Sequence, residues 1–277
     1  MRRSGGVLMM LAVLSLIGCK EQQEPLWTQE QPLVSKEYVY DEDDNLLEVF
    51  EYFYDEQNRY DQIIDTQYDI ESGTGTVFRK YVYTYKKDKY YEDTIYPTHD
   101  NITTRNVYDE RNNLIQGEYI FENKCHTATY EYEYKENQQI CRCYGEGKHL
   151  VFTSVTNYNE QSDELSYWRD NNDGTTSSTT YQYKYDSDGN IIYMSERWEA
   201  TNDAGPSYAE TEYVYDKDGR LQFEYEKKML NEGTGYMELE SQTKVSYYYD
   251  EKGRLYKKVG EYEGEKFDNK YTIIYEY

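Results

Sequence analysis

An all-β fold, built as an array of antiparallel β-hairpins, is predicted by two features of the sequence. The pattern Tyr-x-Tyr-Asp, followed by a polar turn and then Leu or Ile, recurs along the chain, most clearly at 183–191, 213–221 and 247–255. The second tyrosines of successive copies lie mostly about 23 to 34 residues apart, a spacing typical of repeat proteins. Residues before and after each turn alternate between large apolar and polar types, which is the period of a strand with two unlike faces.

The tyrosine content decides whether such a chain folds at all. The formal net charge is -24 and aliphatic residues are few, a composition that by itself favours disorder. However, the chain has 37 tyrosines. A tyrosine ring buries a large apolar surface while its hydroxyl keeps a hydrogen-bond partner, so a tyrosine-covered face can hold a sheet together.

The first residues predict export and lipidation. Arg2 and Arg3 precede an apolar run at 7–17, which ends in Leu-Ile-Gly before Cys19. The run is too short to span a bilayer. The segment resembles a bacterial lipoprotein signal peptide, a likeness which implies that residues 1–18 are removed and Cys19 is acylated. An ordinary secretory signal with a chance cysteine, or a short membrane anchor, is the alternative.

A polar tether is predicted at 19–36, followed by the repeat domain at 37–277. The sequence after Cys19, Lys-Glu-Gln-Gln-Glu, resembles the surface-export signal of Bacteroidota lipoproteins. Lys20, rather than an aspartate, follows the lipidated cysteine, which resembles the pattern of lipoproteins sorted to the outer membrane. These resemblances imply an outer-membrane lipoprotein, which lies either at the cell surface or on the periplasmic face of that membrane. The strongly acidic balance argues against nucleic acid as a partner, because such binding requires cationic residues against phosphates.

The turns carry their own chemistry. The aspartate that begins each turn can accept hydrogen bonds from the backbone that follows it, and the residue three places later must adopt a positive φ. That place holds Gly189, Gly219 and Gly253 in the clearest copies. Asn58, Asn112 and Asp44 occupy it in others, and these types also enter the left-handed region at low cost. Gln138 breaks the rule, so a different turn is expected there.

The repeat resembles the YD repeats of the Rhs family. The matching residues are Tyr215, Asp216, Gly219, Arg220 and Leu221, and the same pattern returns at 249–255. The resemblance covers about 37–277, is strongest in the last third, and implies a curled or spiral extended sheet. Rhs toxic activity lies in an appended C-terminal domain, whereas this sequence ends on the repeat signature.

No enzymatic motif emerges from the sequence. It contains no nucleophile elbow, phosphate-binding glycine loop or His-Glu-x-x-His, and only three histidines. We therefore predict that the protein is not an enzyme, has no cofactor and holds no resident metal. A binding or cell-surface structural role is expected, with a protein or glycan partner besides the membrane. The alternative is a glycan-binding accessory lipoprotein of a nutrient-uptake system.

A cysteine- and histidine-rich segment leaves three interpretations open. Cys125, His126, Cys141, Cys143 and His149 lie close in sequence. The three interpretations are reduced cysteines, a disulfide from Cys125 to Cys141 or Cys143, and a site for a soft metal ion. If residue 134 pairs with residue 140, Cys141 and Cys143 face away from the tyrosines.

Two further patterns invite ligands. The Asp-x-Asp-Gly turns at 186–189 and 216–219, and the segment 170–174, resemble calcium loops but lack the glutamate such loops require; turn chemistry alone explains them. Trp168 and Trp198 are candidate ligand-facing aromatics for sugar stacking. Strand parity predicts that Ile192, Met194 and Trp198 point away from the tyrosine face.

Overall fold

The computed structural model describes residues 33–97, 103–121, 124–201, 207–230, 238–264 and 268–277. The predicted signal peptide, Cys19 and nearly all of the tether lie outside these residues. The described chain forms 18 antiparallel strands in one sheet. They are β1 (Lys36–Tyr40), β2 (Leu46–Tyr54), β3 (Tyr60–Tyr68), β4 (Gly75–Lys86), β5 (Lys89–Ile95), β6 (Thr103–Asp109), β7 (Leu114–Phe121), β8 (Lys124–Lys135), β9 (Gln138–Tyr144), β10 (Leu150–Tyr158), β11 (Glu164–Asp170), β12 (Thr176–Tyr185), β13 (Ile191–Ala200), β14 (Ser207–Tyr215), β15 (Leu221–Leu230), β16 (Glu238–Tyr249), β17 (Leu255–Gly264) and β18 (Asp268–Glu276).

The sheet closes into an up-and-down barrel. Each strand pairs with its sequence neighbours, and β1 pairs with both β2 and β18, with Tyr38 opposite Val49 on one side and Ile274 on the other. The all-β hairpin array is as predicted, but the prediction of a curled or spiral open sheet is wrong. Closure pairs the backbone groups that two edge strands would leave exposed. Eighteen strands spaced about 4.8 Å apart enclose a ring roughly 30 Å across, wide enough for water.

Seven of the hairpins share one construction. A connection of four or five residues follows a register shift at the tyrosine that precedes the turn, as between Lys184 and Tyr185 or between Val214 and Tyr215. The shift is a β-bulge: Tyr185 pairs with Ile191, Lys184 pairs with Tyr193, and Ile192 is the extra residue. Bulges increase the local twist and bend the strands, which favours a curved wall.

The connection at residue 138 differs, as expected. Lys135 pairs directly with Gln138 across a two-residue turn, without a register shift, and Asn137 supplies the positive φ of 57°. This shorter turn changes which residues face each other in β8 and β9. Tyr134 pairs with Gln139 rather than with Ile140.

The two ends of the barrel are unlike. One end, here the short-turn rim, carries the connections 55–59, 87–88, 110–113, 136–137, 159–163, 186–190, 216–220 and 250–254. The other end, the loop rim, carries the connections 41–45, 69–74, 145–149 and 171–175 among the described residues. Because the number of strands is even, β1 begins and β18 ends at the short-turn rim. Ser35 donates its backbone N–H to Glu276 there.

The tyrosines of the repeats line the inner face of the wall. Directly paired residues share a face, and Tyr132, Tyr183, Tyr213 and Tyr247 share theirs with most of the buried polar residues. Side chains converge inside a closed barrel and diverge outside it, so the more buried face is the inner one. The copy at 38–46 is the exception: its turn lies at the loop rim, and Tyr38 faces outward beside Val49.

Candidate functional site

The short-turn rim is a girdle of hydrogen-bonded turns. In the clearest copy, Asp216 Oδ1 accepts hydrogen bonds from the backbone N–H groups of Asp218 (2.8 Å) and Arg220 (3.0 Å). Asp216 Oδ2 accepts a hydrogen bond from Arg220 Nε at 2.8 Å. The backbone N–H and guanidinium of Arg220 hold the pKa of Asp216 below its usual value. Gly219 has a φ of 76°, the left-handed conformation that the pattern requires.

Each turn is also tied to the next hairpin. The Arg220 guanidinium lies over the ring of Tyr249 at 5.0 Å, and Tyr249 donates its hydroxyl to the carbonyl of Leu221 at 2.7 Å. The following unit repeats the arrangement, with Arg254 over Tyr277 at 4.6 Å. Gly189 and Gly253 have φ values of 86° and 79°. The anchor tyrosine, turn aspartate and arginine therefore act as one structural unit at this rim.

In these turns the aspartate carboxylates accept hydrogen bonds from residues of the same turn. Asp186 accepts hydrogen bonds from the backbone of Asp188 and Asn190 and from the Asn190 side chain, and these contacts lower its pKa. In the segment 170–174, Asp170 accepts from the Asn172 backbone and Asp173 from Thr175. Among the described residues no group of three histidine, cysteine or acidic side chains is arranged to hold a metal ion. The turns are therefore accounted for by turn chemistry.

The cysteines lie on two faces of the wall. Cys141 pairs with Tyr132 and Cys143 with Tyr130, so both face inward, contrary to the prediction that they face away from the tyrosines. The two-residue turn at 136–137 is the reason, because it shifts the pairing by one residue. Cys125 pairs with Ile120, which alternation places on the outer face. All three thiols are free, and the disulfide alternative is wrong for this arrangement. Burial raises the pKa of Cys141 and Cys143.

The two candidate tryptophans also lie on different faces of the wall. Trp168 pairs with Val155 and Ser178 on the outer face and is 41% exposed. Trp198 pairs with Thr179, on the tyrosine face, so the prediction that Trp198 and Met194 point away from the tyrosines is wrong. The bulge at Ile192 inserts one residue, which reverses the parity of everything after it in β13. Of these two tryptophans, Trp198 is the one on the lumen side.

Ionisable side chains are spread over the inner wall. Glu37, Glu164 and Glu196 have pKa values raised by burial, and burial lowers that of Lys258, which lies near Glu37. The most buried of these groups is Asp65, which has no solvent exposure. A lumen with this lining is polar as well as aromatic.

Asp65 on β3 lies in a cluster with Glu48 on β2 and Arg79 on β4. Asp65 Oδ2 accepts a hydrogen bond from Arg79 Nε at 2.6 Å, whereas Asp65 Oδ1 is buried and accepts no hydrogen bond from the described residues. Glu48 interacts with Asp65, and burial together with that carboxylate raises the pKa of Glu48 to about 8. The raised pKa favours a protonated Glu48 beside Asp65. The sequence offered no signal for this cluster, since its members come from three strands.

A concavity lies on the inner wall towards the loop rim. It has a volume of about 530 Å³ and is formed by β6, β7 and β8 together with the connection 145–149. The inward-facing residues that line it include Asn106, Gly117, Tyr119, His126 and Tyr130. Sequence reasoning singled out His126 and His149 only as part of the cysteine segment.

Comparisons with known proteins add little to this geometry. No protein-family model matches the chain, and no curated protein matches it. Among solved structures, it is similar to a porin-like protein from Bacteroides uniformis, with 10% identity, 88% of this chain and 97% of the other covered, and a TM-score of 0.44. A porin-like protein from Bacteroides vulgatus shows 11% identity, 88% and 98% coverage, and a TM-score of 0.40. Within the described residues no helix is long and apolar enough to cross a membrane.

Proposed function

We propose that the protein is a non-enzymatic lipoprotein of the outer membrane, anchored through Cys19, whose barrel stands in water and binds a ligand within its lumen. The observation that carries this proposal is the position of the chain ends. β1 begins at the short-turn rim, so the tether reaches the barrel there. The lipid would hold that rim towards the membrane and present the loop rim, with its concavity, to the medium.

The charge on the wall supports a barrel outside the hydrocarbon layer. The outer face carries the cross-strand ion pairs Lys36–Glu51 at 2.7 Å and Arg105–Asp93 at 2.7 Å. Lys270–Glu261 at 3.5 Å lies on the same face. Membrane-spanning barrels present an apolar band about 25 Å tall, in which an outward Arg or Lys costs roughly 2–4 kcal/mol. These outward charges therefore argue against a wall that lies in the hydrocarbon layer.

The YD-repeat character of the chain belongs to the same proposal. Tyr215, Asp216, Gly219, Arg220 and Leu221, the residues that carry the resemblance, are joined by the contacts of one turn. We infer that the repeat serves as a wall-building unit, and that binding is the work of positions where the tyrosine pattern is interrupted.

Acylation and orientation are tested together. Labelled palmitate should enter the wild-type protein and fail to enter the Cys19→Ala variant; equal labelling would refute the anchor. Orientation is read from single introduced cysteines in a background with Cys125, Cys141 and Cys143 replaced by serine: Ser72→Cys at the loop rim and Lys217→Cys at the short-turn rim. In acylated protein on vesicles, a maleimide too large to pass beneath the barrel should react faster at residue 72. Faster reaction at residue 217 would contradict the proposed orientation.

A further inference from the structure

The inner wall is interrupted where small residues replace tyrosine. Gly117 on β7 pairs with Ala128 on β8, and Asn106 on β6 pairs with Gly117. A Cβ atom at Gly117 would meet only Asn106 Oδ1, at 3.7 Å. The 530 Å³ concavity lies over this flat floor. Its volume falls within the range of small-ligand pockets, about 300–1,000 Å³.

Two tyrosines stand at opposite ends of the floor. Tyr119, two residues after Gly117 on β7, pairs with His126 and is 42% exposed. Tyr130 lies two residues beyond Ala128 on the other side, where its ring is 6.4 Å from that of Phe152. Since residues two apart on one strand face lie about 6.6 Å apart, the floor between the two rings is roughly 13 Å long. This length suits a flat ligand rather than a single ion.

The connection 145–149 forms the remaining wall. It contains a short 3-10 turn, Glu146–Lys148, closed by a hydrogen bond from the Lys148 N–H to the Gly145 carbonyl. Glu146 Oε1 lies 3.1 Å from His126 Nδ1, and the His149 ring contacts the Glu146 carbonyl. These contacts hold the connection against β8, so imidazole, carboxylate and amide groups converge on the floor.

We propose that this pocket binds a neutral saccharide of one or two rings, a proposal that rests on the proposed role of the lumen in binding. The C–H face of a pyranose packs against tyrosine rings, and its hydroxyls pair with the donors and acceptors of Asn106, His126 and Glu146. Asn106 is already oriented, since its Nδ2 donates to Glu92 Oε1 at 3.3 Å. The chain's net charge of -24 disfavours anionic ligands.

The test uses the acylated protein in detergent, titrated by calorimetry with cellobiose, maltose, xylobiose and lactose, and with galacturonic acid dimer as an anionic comparison. At least one neutral disaccharide should bind in the millimolar range or better. Gly117→Leu fills the floor and should weaken that binding by about tenfold or more, as should Tyr119→Ala. Tyr225→Ala, an exposed outer-face tyrosine, is the matched control and should bind as wild type.

Gly117→Ala adds only a methyl group to an open position, so it should fold and retain most of the binding. It separates a filled pocket from a damaged strand. Folding of each variant is checked by circular dichroism. If no neutral disaccharide binds, if only the anionic dimer binds, or if Gly117→Leu binds as well as wild type, the saccharide site is wrong. Palmitate labelling does not depend on saccharide binding, so the lipid anchor and the saccharide site are tested independently.

Discussion

Raising the pH should destabilise the barrel through Glu48. In the folded protein Glu48 shares a buried site with Asp65, and its pKa is raised to about 8. In the unfolded chain a glutamate titrates near 4.3. Between these values the folded state holds a proton that the unfolded state has lost. Stability from this group is therefore full below the unfolded pKa and is lost as the pH rises through the folded pKa.

The size of the effect follows from that difference. A proton bound only by the folded state changes stability by about 1.4 kcal/mol per pH unit, and the slope flattens as the pH approaches 8. The Glu48 contribution should therefore fall by about 2 kcal/mol between pH 6 and pH 8. Glu48→Gln keeps the shape and a donor group beside Asp65 but removes the titration.

Guanidinium unfolding of wild type and Glu48→Gln at several pH values gives the measurement. The two proteins should have similar stability near pH 4, below the pKa of an unfolded glutamate, and the variant should already be the more stable at pH 6, by a margin that grows by about 2 kcal/mol between pH 6 and pH 8. Other buried carboxyls, such as Glu37 and Glu196, titrate in both proteins and cancel in the comparison. Parallel pH profiles for the two proteins would refute the shared proton.

Three further predictions concern the wall and are read from unfolding midpoints. Gly219→Val should cost about 1 kcal/mol or more, and Gly219→Asn much less, because φ is positive there and no atom lies near a new Cβ; equal shifts would contradict the turn. Tyr183→Ala removes a packed ring whose hydroxyl donates to a carbonyl at 2.9 Å, and should cost about 1–3 kcal/mol. Lys184→Ala should cost under about 1 kcal/mol, since Lys184 is exposed and lies over the Tyr193 ring on the outer face; the reverse order would invert the faces. Arg79→Met should cost about 3–5 kcal/mol by leaving Asp65 unpaired, and Asp65→Leu in the same chain should restore part of it; no restoration would mean the ion pair is not responsible.

The hairpins were predictable because their signals are local. Alternation around each turn, and the need for Gly or Asn at a positive φ, are written in a few adjacent residues. The faces of Trp198 and Cys143 were not, because a single bulge residue or a shorter turn reverses parity for the rest of a strand. Closure also escaped prediction, since it depends on the summed curvature of all strands. The pocket joins three strands and a connection, which no spacing along the chain reveals.

The closed ring is tested most directly by linking its first and last strands. With Cys125, Cys141 and Cys143 replaced by serine, Tyr38→Cys and Ile274→Cys place two thiols directly opposite each other on the outer face. Residues facing each other across antiparallel strands have Cα atoms about 4.5–5.5 Å apart, within disulfide range. A closed barrel predicts rapid oxidation to an intramolecular disulfide, seen as a reducible gel shift, whereas Tyr38→Cys with inward-facing Ile273→Cys should not link. Failure of the 38–274 pair to form a disulfide in folded protein would mean that the sheet is open.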